Sequence, residues 1–72
     1  MTLILTDEEK RVLFLLAQGF TNKEISAKLS ISDEATKIYL DAIYKKLDVN
    51  NRVSAMLKAN EMNIPDLQEI SR

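Results

Sequence analysis

The sequence has 72 residues, of which 46% are apolar, with one glycine, one proline and neither cysteine nor histidine; this suits one small helical domain and excludes disulfides, thiolate metal sites and histidine chemistry. Ten basic and eleven acidic residues give a net charge of -1, so any affinity for nucleic acid must come from local placement of charge. Because the chain shows neither a signal peptide nor an apolar run of membrane-spanning length, we expect a cytoplasmic protein that does not enter membranes.

The first predicted helix covers about residues 7–18. Thr6 has the position of an N-cap, and Glu9, three residues later, completes a capping box. Gly19 lies where a left-handed residue commonly ends a helix. Residues 1–5 are predicted to form an extended arm packed on the body. The apolar residues of the helix recur at helical spacing and should be buried: Val12, Leu13, Leu15 and Leu16.

A short second helix is predicted over residues 22–29, with Thr21 and Glu24 as another capping box. Ile25 and Leu29 should form its buried face. A tight turn then leads to a longer helix. Two helices joined in this way, with the second one longer, are typical of a helix-turn-helix unit.

The third predicted helix is the longest and covers residues 33–47, with Ser32 as its N-cap. At about 100° per residue, one narrow face should be buried. Its members are Thr36, Leu40, Ile43 and Leu47, with Tyr39 and Tyr44 beside them. The opposite face contains Glu34, Ile38, Asp41 and Lys45, with Lys37 at its margin. This face mixes both charges around an apolar side chain, and could contact either DNA or another protein.

The fourth predicted helix covers residues 51–62 and begins after Asn50 or Asn51. Its apolar residues span more than one narrow stripe, so part of the helix could meet a partner. They are Val53, Ala55, Met56, Leu57 and Ala59. That they only complete the core of a monomer remains an alternative. Pro65 helps to end the helix, and residues 63–72 form a short C-terminal tail, either one further turn or loose.

Short motifs at fixed spacing run through residues 5–59. They are Leu5-Thr6, Val12-Leu13, Ala17 with Gly19, Asn22-Lys23-Glu24-Ile25, Leu29, Ile31-Ser32, Lys46-Leu47, Val49, and Asn51-Arg52 with Ala55. In this order the set resembles the LuxR/GerE-type helix-turn-helix domain of bacterial transcription regulators. The resemblance implies an all-α, compact four-helix helix-turn-helix domain with a short C-terminal tail. It also implies binding to double-stranded DNA as a homodimer, with the third helix in the major groove and the fourth at the dimer interface.

The chain departs from the family pattern at three places. The family usually has Thr-Val-Lys and then His two residues on, where this chain has Ala35-Thr36-Lys37 and Tyr39. Its usual Arg-Glu-x-Glu is replaced by Glu8-Glu9-Lys10-Arg11, so the ion pairs there must be rearranged. Asp41 lies where relatives commonly place a polar or basic side chain.

The candidate DNA-binding residues follow from charge and position. A helix N-terminus attracts phosphate, lysines neutralise it, an apolar side chain can contact a thymine methyl, and a carboxylate can accept from a cytosine amino group. The candidates are Thr21, Asn22, Lys23, Glu34, Lys37, Ile38, Asp41, Lys45 and Lys46. The candidate dimer interface consists of Val53, Met56, Leu57 and Asn60.

The acidic pairs Glu8-Glu9 and Asp33-Glu34 stand at helix starts, where capping explains them. With no nucleophile–base pair, metal-ligand cluster or glycine-rich phosphate loop in the sequence, we expect no enzyme activity, metal or cofactor.

The alternative function is a protein-binding modulator on the same fold that has lost most DNA affinity and pairs with another transcription regulator. The near-neutral charge, Glu34 and Asp41 favour it. Because the chain starts at Met1 and shows no linker, we also expect any sensor to be a separate protein.

Overall fold

The computed structural model describes residues 4–62. This part of the chain forms four helices and no strand: α1 (Asp7–Ala17), α2 (Asn22–Leu29), α3 (Asp33–Leu47) and α4 (Arg52–Met62). The predicted all-α helix-turn-helix fold is confirmed. The predicted tail 63–72 and residues 1–3 of the predicted arm lie outside the described residues.

Side-chain caps begin the helices as predicted. The Thr6 hydroxyl accepts from the Glu9 amide at 3.1 Å, while the Thr6 amide donates to the Glu9 carboxylate at 2.9 Å. Thr21 and Glu24 form the same reciprocal pair at 3.2 and 2.8 Å. The α4 helix begins at Arg52, and Asn51, one of the two predicted cap residues, acts as its cap, because its side chain accepts from the Ser54 amide at 2.8 Å.

The first three helices end in left-handed residues. After α1, Gly19 has φ +96°, and the Phe20 amide donates back to the Leu15 carbonyl at 3.2 Å, which closes a Schellman motif. Because Gln18 is the C-cap, α1 ends at Ala17, one residue earlier than predicted. Ser30 and Asp48 adopt the same conformation, with φ of 56° and 58°, although neither is a glycine.

One apolar core lies between the helices: α1 packs against α2, α3 and α4, and α2 packs against α3. Leu15 is half-buried rather than fully buried and packs at the edge of this core. The core residues are Leu5, Val12, Leu13, Leu16, Ile25, Leu40, Ile43, Leu47, Ala55 and Ala59.

A buried carboxylate ties the start of α1 to the end of α3. Glu9 is 6% exposed, and its Oε1 accepts from Lys46 Nζ at 2.7 Å. Lys46 Nζ also donates to the Ile4 carbonyl at 3.0 Å. Burial by itself would raise the pKa of Glu9, but the hydrogen bonds from Lys46 and Thr6 and the charge of Lys46 hold that pKa below its ordinary value of 4.5. The carboxylate is therefore charged and paired in the folded domain near neutral pH.

Within residues 4–62, no helix combines the length and apolar character that crossing a membrane requires.

Candidate functional site

The outer face of α3 is an exposed surface of the helix-turn-helix unit that contains both charges and an apolar side chain. Its members, Glu34, Lys37, Ile38, Asp41 and Lys45, are all exposed, and Ile38 is 67% exposed. The opposite face is buried as predicted, with Thr36 and Ile43 fully inaccessible. Since the only ion pairs within residues 4–62 are Arg11–Glu8 and Lys46–Glu9, every charge on the outer face is free to meet a ligand.

A buried pair of hydroxyls joins α2 to α3 and fixes where the outer face points. Ser26 Oγ lies 2.8 Å from Thr36 Oγ1, and the two residues are 5% and 0% exposed. Ser26 Oγ also contacts the Asn22 carbonyl at 2.9 Å, and Thr36 Oγ1 contacts the Ser32 carbonyl at 3.1 Å. The family pattern has valine where this chain has Thr36, and Ser26 supplies the polar partner that the hydroxyl needs.

The N-terminus of α2 lies at the surface, with Thr21, Asn22 and Lys23 all exposed. In the capping box the Thr21 amide donates to the Glu24 carboxylate and the Thr21 hydroxyl accepts from the Glu24 amide, which leaves the hydroxyl proton able to donate. Within residues 4–62, the Asn22 and Lys23 amides have no acceptor. These first-turn amides, together with the Thr21 hydroxyl, are thus the donors that an anion could meet here.

Arg52, for which the sequence suggested no role beyond its place in a motif, holds the α2 N-terminus. Its Nη1 donates to Asn22 Oδ1 at 2.9 Å, and its Nη2 donates to the Phe20 carbonyl. Because the side-chain oxygen of Asn22 accepts from Arg52, the side-chain nitrogen of Asn22, Nδ2, remains available to donate to a ligand. The contact spans 30 residues of sequence, and only the Asn51-Arg52 motif could have drawn attention to it.

Lys46 is not part of the outer face of α3. Its ammonium is bonded to Glu9 and to the Ile4 carbonyl, so its charge is compensated within the domain. This placement does not support the predicted phosphate contact of Lys46, whereas Lys37 and Lys45 remain exposed. A lysine at the end of a helix looks the same in sequence whether its partner is a phosphate or a distant carboxylate.

The candidate dimer residues on α4 divide into two groups. Val53 and Leu57 are 65% and 60% exposed, and Asn60 is also exposed. Their spacing of four and three residues places them on one stripe. Met56, the fourth candidate, is half-buried and packs against the core. We call the exposed residues Val53, Leu57 and Asn60 the α4 stripe.

In the described part of the chain, His, Cys, Asp and Glu side chains form no group that could hold a metal ion. The outer face of α3 instead offers two ammonium groups, two carboxylates and one branched apolar side chain at the surface. Such a set can hydrogen-bond base edges, contact phosphate and touch a methyl group.

Comparison with known proteins gives a consistent picture. The family described as "Bacterial regulatory proteins, luxR family" matches residues 3–59. The "Transcriptional regulatory protein DesR" of Bacillus subtilis (strain 168) is 44% identical over 57 residues, which are 79% of this chain and 29% of that protein. The "Nitrate/nitrite response regulator protein NarP" of Escherichia coli (strain K12) is 41% identical over 54 residues, 75% of this chain and 25% of that protein.

Solved structures agree with this at the level of the fold. The response regulator ChrA of a heme-sensing two-component system superimposes with a TM-score of 0.80 at 37% identity, covering 86% of this chain and 31% of that one. The transcription factor GerE superimposes with a TM-score of 0.74 at 28% identity, covering 88% and 92%. The chain thus spans less than a third of DesR, NarP and ChrA, and nearly the whole of GerE.

Proposed function

The chain belongs to the luxR family of bacterial regulatory proteins, and we propose that it is a transcription regulator that binds double-stranded DNA by placing α3 in the major groove. The observation that carries this proposal is the outer face of α3, where Lys37, Ile38 and Lys45 are exposed on a helix-turn-helix unit. The printed names of its relatives, which include transcriptional regulators and response regulators, support the same role. Such a role belongs in the bacterial cytoplasm, where the chromosome lies.

Two sets of groups would hold the DNA backbone. Lys37, at the margin of the outer face, and Lys45, one turn beyond Asp41, are both exposed and can reach phosphates. The exposed amides at the start of α2, with Asn22 and Lys23, add a helix N-terminus whose dipole favours an anion. Arg52 brings a further positive charge to the same point. Contacts of this kind set the register of α3 without reading the sequence.

We also propose that two copies pair through the α4 stripe and bind two half-sites. Val53 and Leu57 are large apolar side chains exposed on the same helix face, and Asn60 extends that face by one turn. A two-fold axis through α4 would present two α3 helices to successive turns of the major groove, which predicts an inverted-repeat site.

Fluorescence anisotropy with a labelled duplex from the promoter of the protein's own gene tests DNA binding. Each lysine–phosphate contact contributes a slope of about -0.9 to the dependence of log K on log salt concentration. We expect Lys37→Ala and Lys45→Ala each to weaken binding and to reduce the slope by about one unit. Lys10→Ala, which removes the same charge from α1, is the matched control and should leave both quantities unchanged.

The proposal is wrong if the wild-type protein shows no binding to any duplex at low salt. The protein-binding modulator considered from the sequence would give that result, but none of the relatives named above supports it. Measurable binding whose salt slope is the same in both lysine variants would mean that DNA contacts another face of the domain.

A further inference from the structure

The charge that fits a phosphate-binding surface least is the carboxylate of Asp41. It lies on the outer face of α3, in the middle of a helix that runs from Asp33 to Leu47, and it is exposed. Lys37 and Lys45 stand one helical turn away on either side, yet neither forms an ion pair with it. Its negative charge is therefore uncompensated within residues 4–62.

A carboxylate at this position meets base edges rather than phosphates. When a recognition helix lies in the major groove, side chains on its groove-facing side meet the base edges, while contacts to phosphates only position the helix. An ionised carboxylate only accepts hydrogen bonds. In the major groove the donors are the amino groups of cytosine and adenine, whereas guanine O6 and N7 and thymine O4 are acceptors that repel it.

Cytosine fits the carboxylate better than adenine does. Adenine presents the acceptor N7 beside its amino group, so a carboxylate near adenine faces one donor and one repelling lone pair. Cytosine presents the amino group alone. The free carboxylate of Asp41 therefore favours cytosine over adenine and disfavours guanine and thymine.

Ile38 provides a second reading element beside Asp41. Its side chain is 67% exposed and precedes Asp41 by three residues on the same face, a rise of about 4.5 Å along the helix. Successive nucleotides of one DNA strand are about 3.4 Å apart. An exposed branched side chain at that distance suits the methyl group of a thymine in the neighbouring base pair.

We infer that Asp41 is a specificity-determining residue that selects a cytosine through its amino group, next to a base pair whose thymine methyl contacts Ile38. The inference rests on the proposed DNA binding and adds the chemical pattern of the half-site. Asp41 would then supply sequence preference on a face whose lysines, by contacting phosphates, would bind any sequence. Part of that role is exclusion, because a site without the cytosine leaves a carboxylate against acceptors.

Selection of bound duplexes from a library of randomised sequences tests the inference. The wild-type protein should enrich cytosine at one position of each half-site, beside an enriched thymine. Replacing that cytosine should weaken binding about tenfold. Asp41→Ala should lose the preference at that position alone, and Asp41→Asn should move it to adenine, because an asparagine side chain pairs with adenine N6 and N7.

Asp7→Asn removes a carboxylate from the first turn of α1 and should leave the selected sequence unchanged. The inference is overturned if Asp41→Ala selects the same bases as the wild type at every position. It is also overturned if that variant binds all sequences equally more tightly, since Asp41 would then act by repelling phosphate only. Wild-type protein that enriches no duplex at all would contradict the proposed function itself, which distinguishes the two failures.

Discussion

At the scale of single residues, Glu9 performs two tasks that the sequence could suggest only in part. Its carboxylate caps the start of α1, which the spacing to Thr6 predicted, and it also binds Lys46 at the end of α3. The first partner is three residues away and the second is 37 residues away. Local spacing reveals the first kind of contact, whereas the second depends on how α1 packs against α3.

We expect Glu9→Gln to lower the free energy of unfolding by about 1–2 kcal/mol at pH 7, because Lys46 loses its charged partner in a half-buried place. Folding lowers the pKa of Glu9 from its ordinary value of 4.5. The stabilisation is therefore fully present above pH 4.5 and is lost as the pH falls through the lower folded-state pKa. Urea unfolding at pH 7 and at pH 3 should show the gap between the two proteins narrowing.

Glu61→Gln, at an exposed carboxylate on α4, provides the control and should unfold like the wild type at both pH values. A gap between Glu9→Gln and the wild type that stays constant from pH 7 to pH 3 would show that the lost stability does not come from the charge of Glu9.

At the scale of elements, the helix starts and buried faces were predictable because local sequence determines them. Thr6, Thr21 and Ser32 cap helices at the predicted positions, and the apolar spacing identified the core face of α3. Gly19 correctly predicted the end of α1, because glycine readily adopts the positive φ found there. Ser30 and Asp48 adopt the left-handed conformation at the ends of α2 and α3, a conformation that their residue types alone do not predict.

The candidate site was predictable as a helix face but not in its internal contacts. The outer face of α3 followed from periodicity. Three contacts depend on residues that only folding brings together. They are Lys46 with Glu9, which takes Lys46 away from the outer face, Arg52 with Asn22, and Ser26 with Thr36. Each partner is a common polar residue whose sequence neighbours give no sign of the contact.

The junction between α2 and α3 supports a prediction about these buried hydroxyls. Ser26 and Thr36 carry two hydroxyl protons but make three contacts, so their mutual bond competes with one bond to a backbone carbonyl. We expect Ser26→Ala and Thr36→Val each to destabilise the domain by about 1 kcal/mol. The double variant should cost less than the sum, with a coupling of about 0.5–1 kcal/mol, because the second change removes a contact already lost.

Urea unfolding of the wild type, both single variants and the double variant gives a double-mutant cycle that measures this coupling free energy. As a matched control, Ser54→Ala can replace Ser26→Ala, since Ser54 lies on α4 and its hydroxyl makes no contact with Thr36. Additive effects of Ser26→Ala and Thr36→Val would mean that the two hydroxyls stabilise their own helices independently and do not join α2 to α3.

At the scale of the whole molecule, α4 connects the core, the α4 stripe and the N-terminus of α2. The helix α4 contributes Ala55 and Ala59 to the core and sends Arg52 to the start of α2, while the α4 stripe faces away from the core. A partner bound at the α4 stripe would therefore act on a helix that contacts both α1 and, through Arg52, the N-terminus of α2. The proposed dimer and the proposed DNA contact would therefore both involve α4.

The proposed dimer gives a prediction that separates the α4 stripe from the outer face of α3. In a two-fold dimer, Leu57→Glu enters the interface twice, and burying a leucine contributes about 1.5–3 kcal/mol. We expect Leu57→Glu to weaken dimerisation by at least about 100-fold, whereas Ile38→Glu should dimerise like the wild type. Leu57 and Ile38 are 60% and 67% exposed, so the two variants place equal charge at equally accessible sites. Sedimentation equilibrium over a range of concentrations distinguishes them, and a wild type that stays monomeric throughout would refute the dimer.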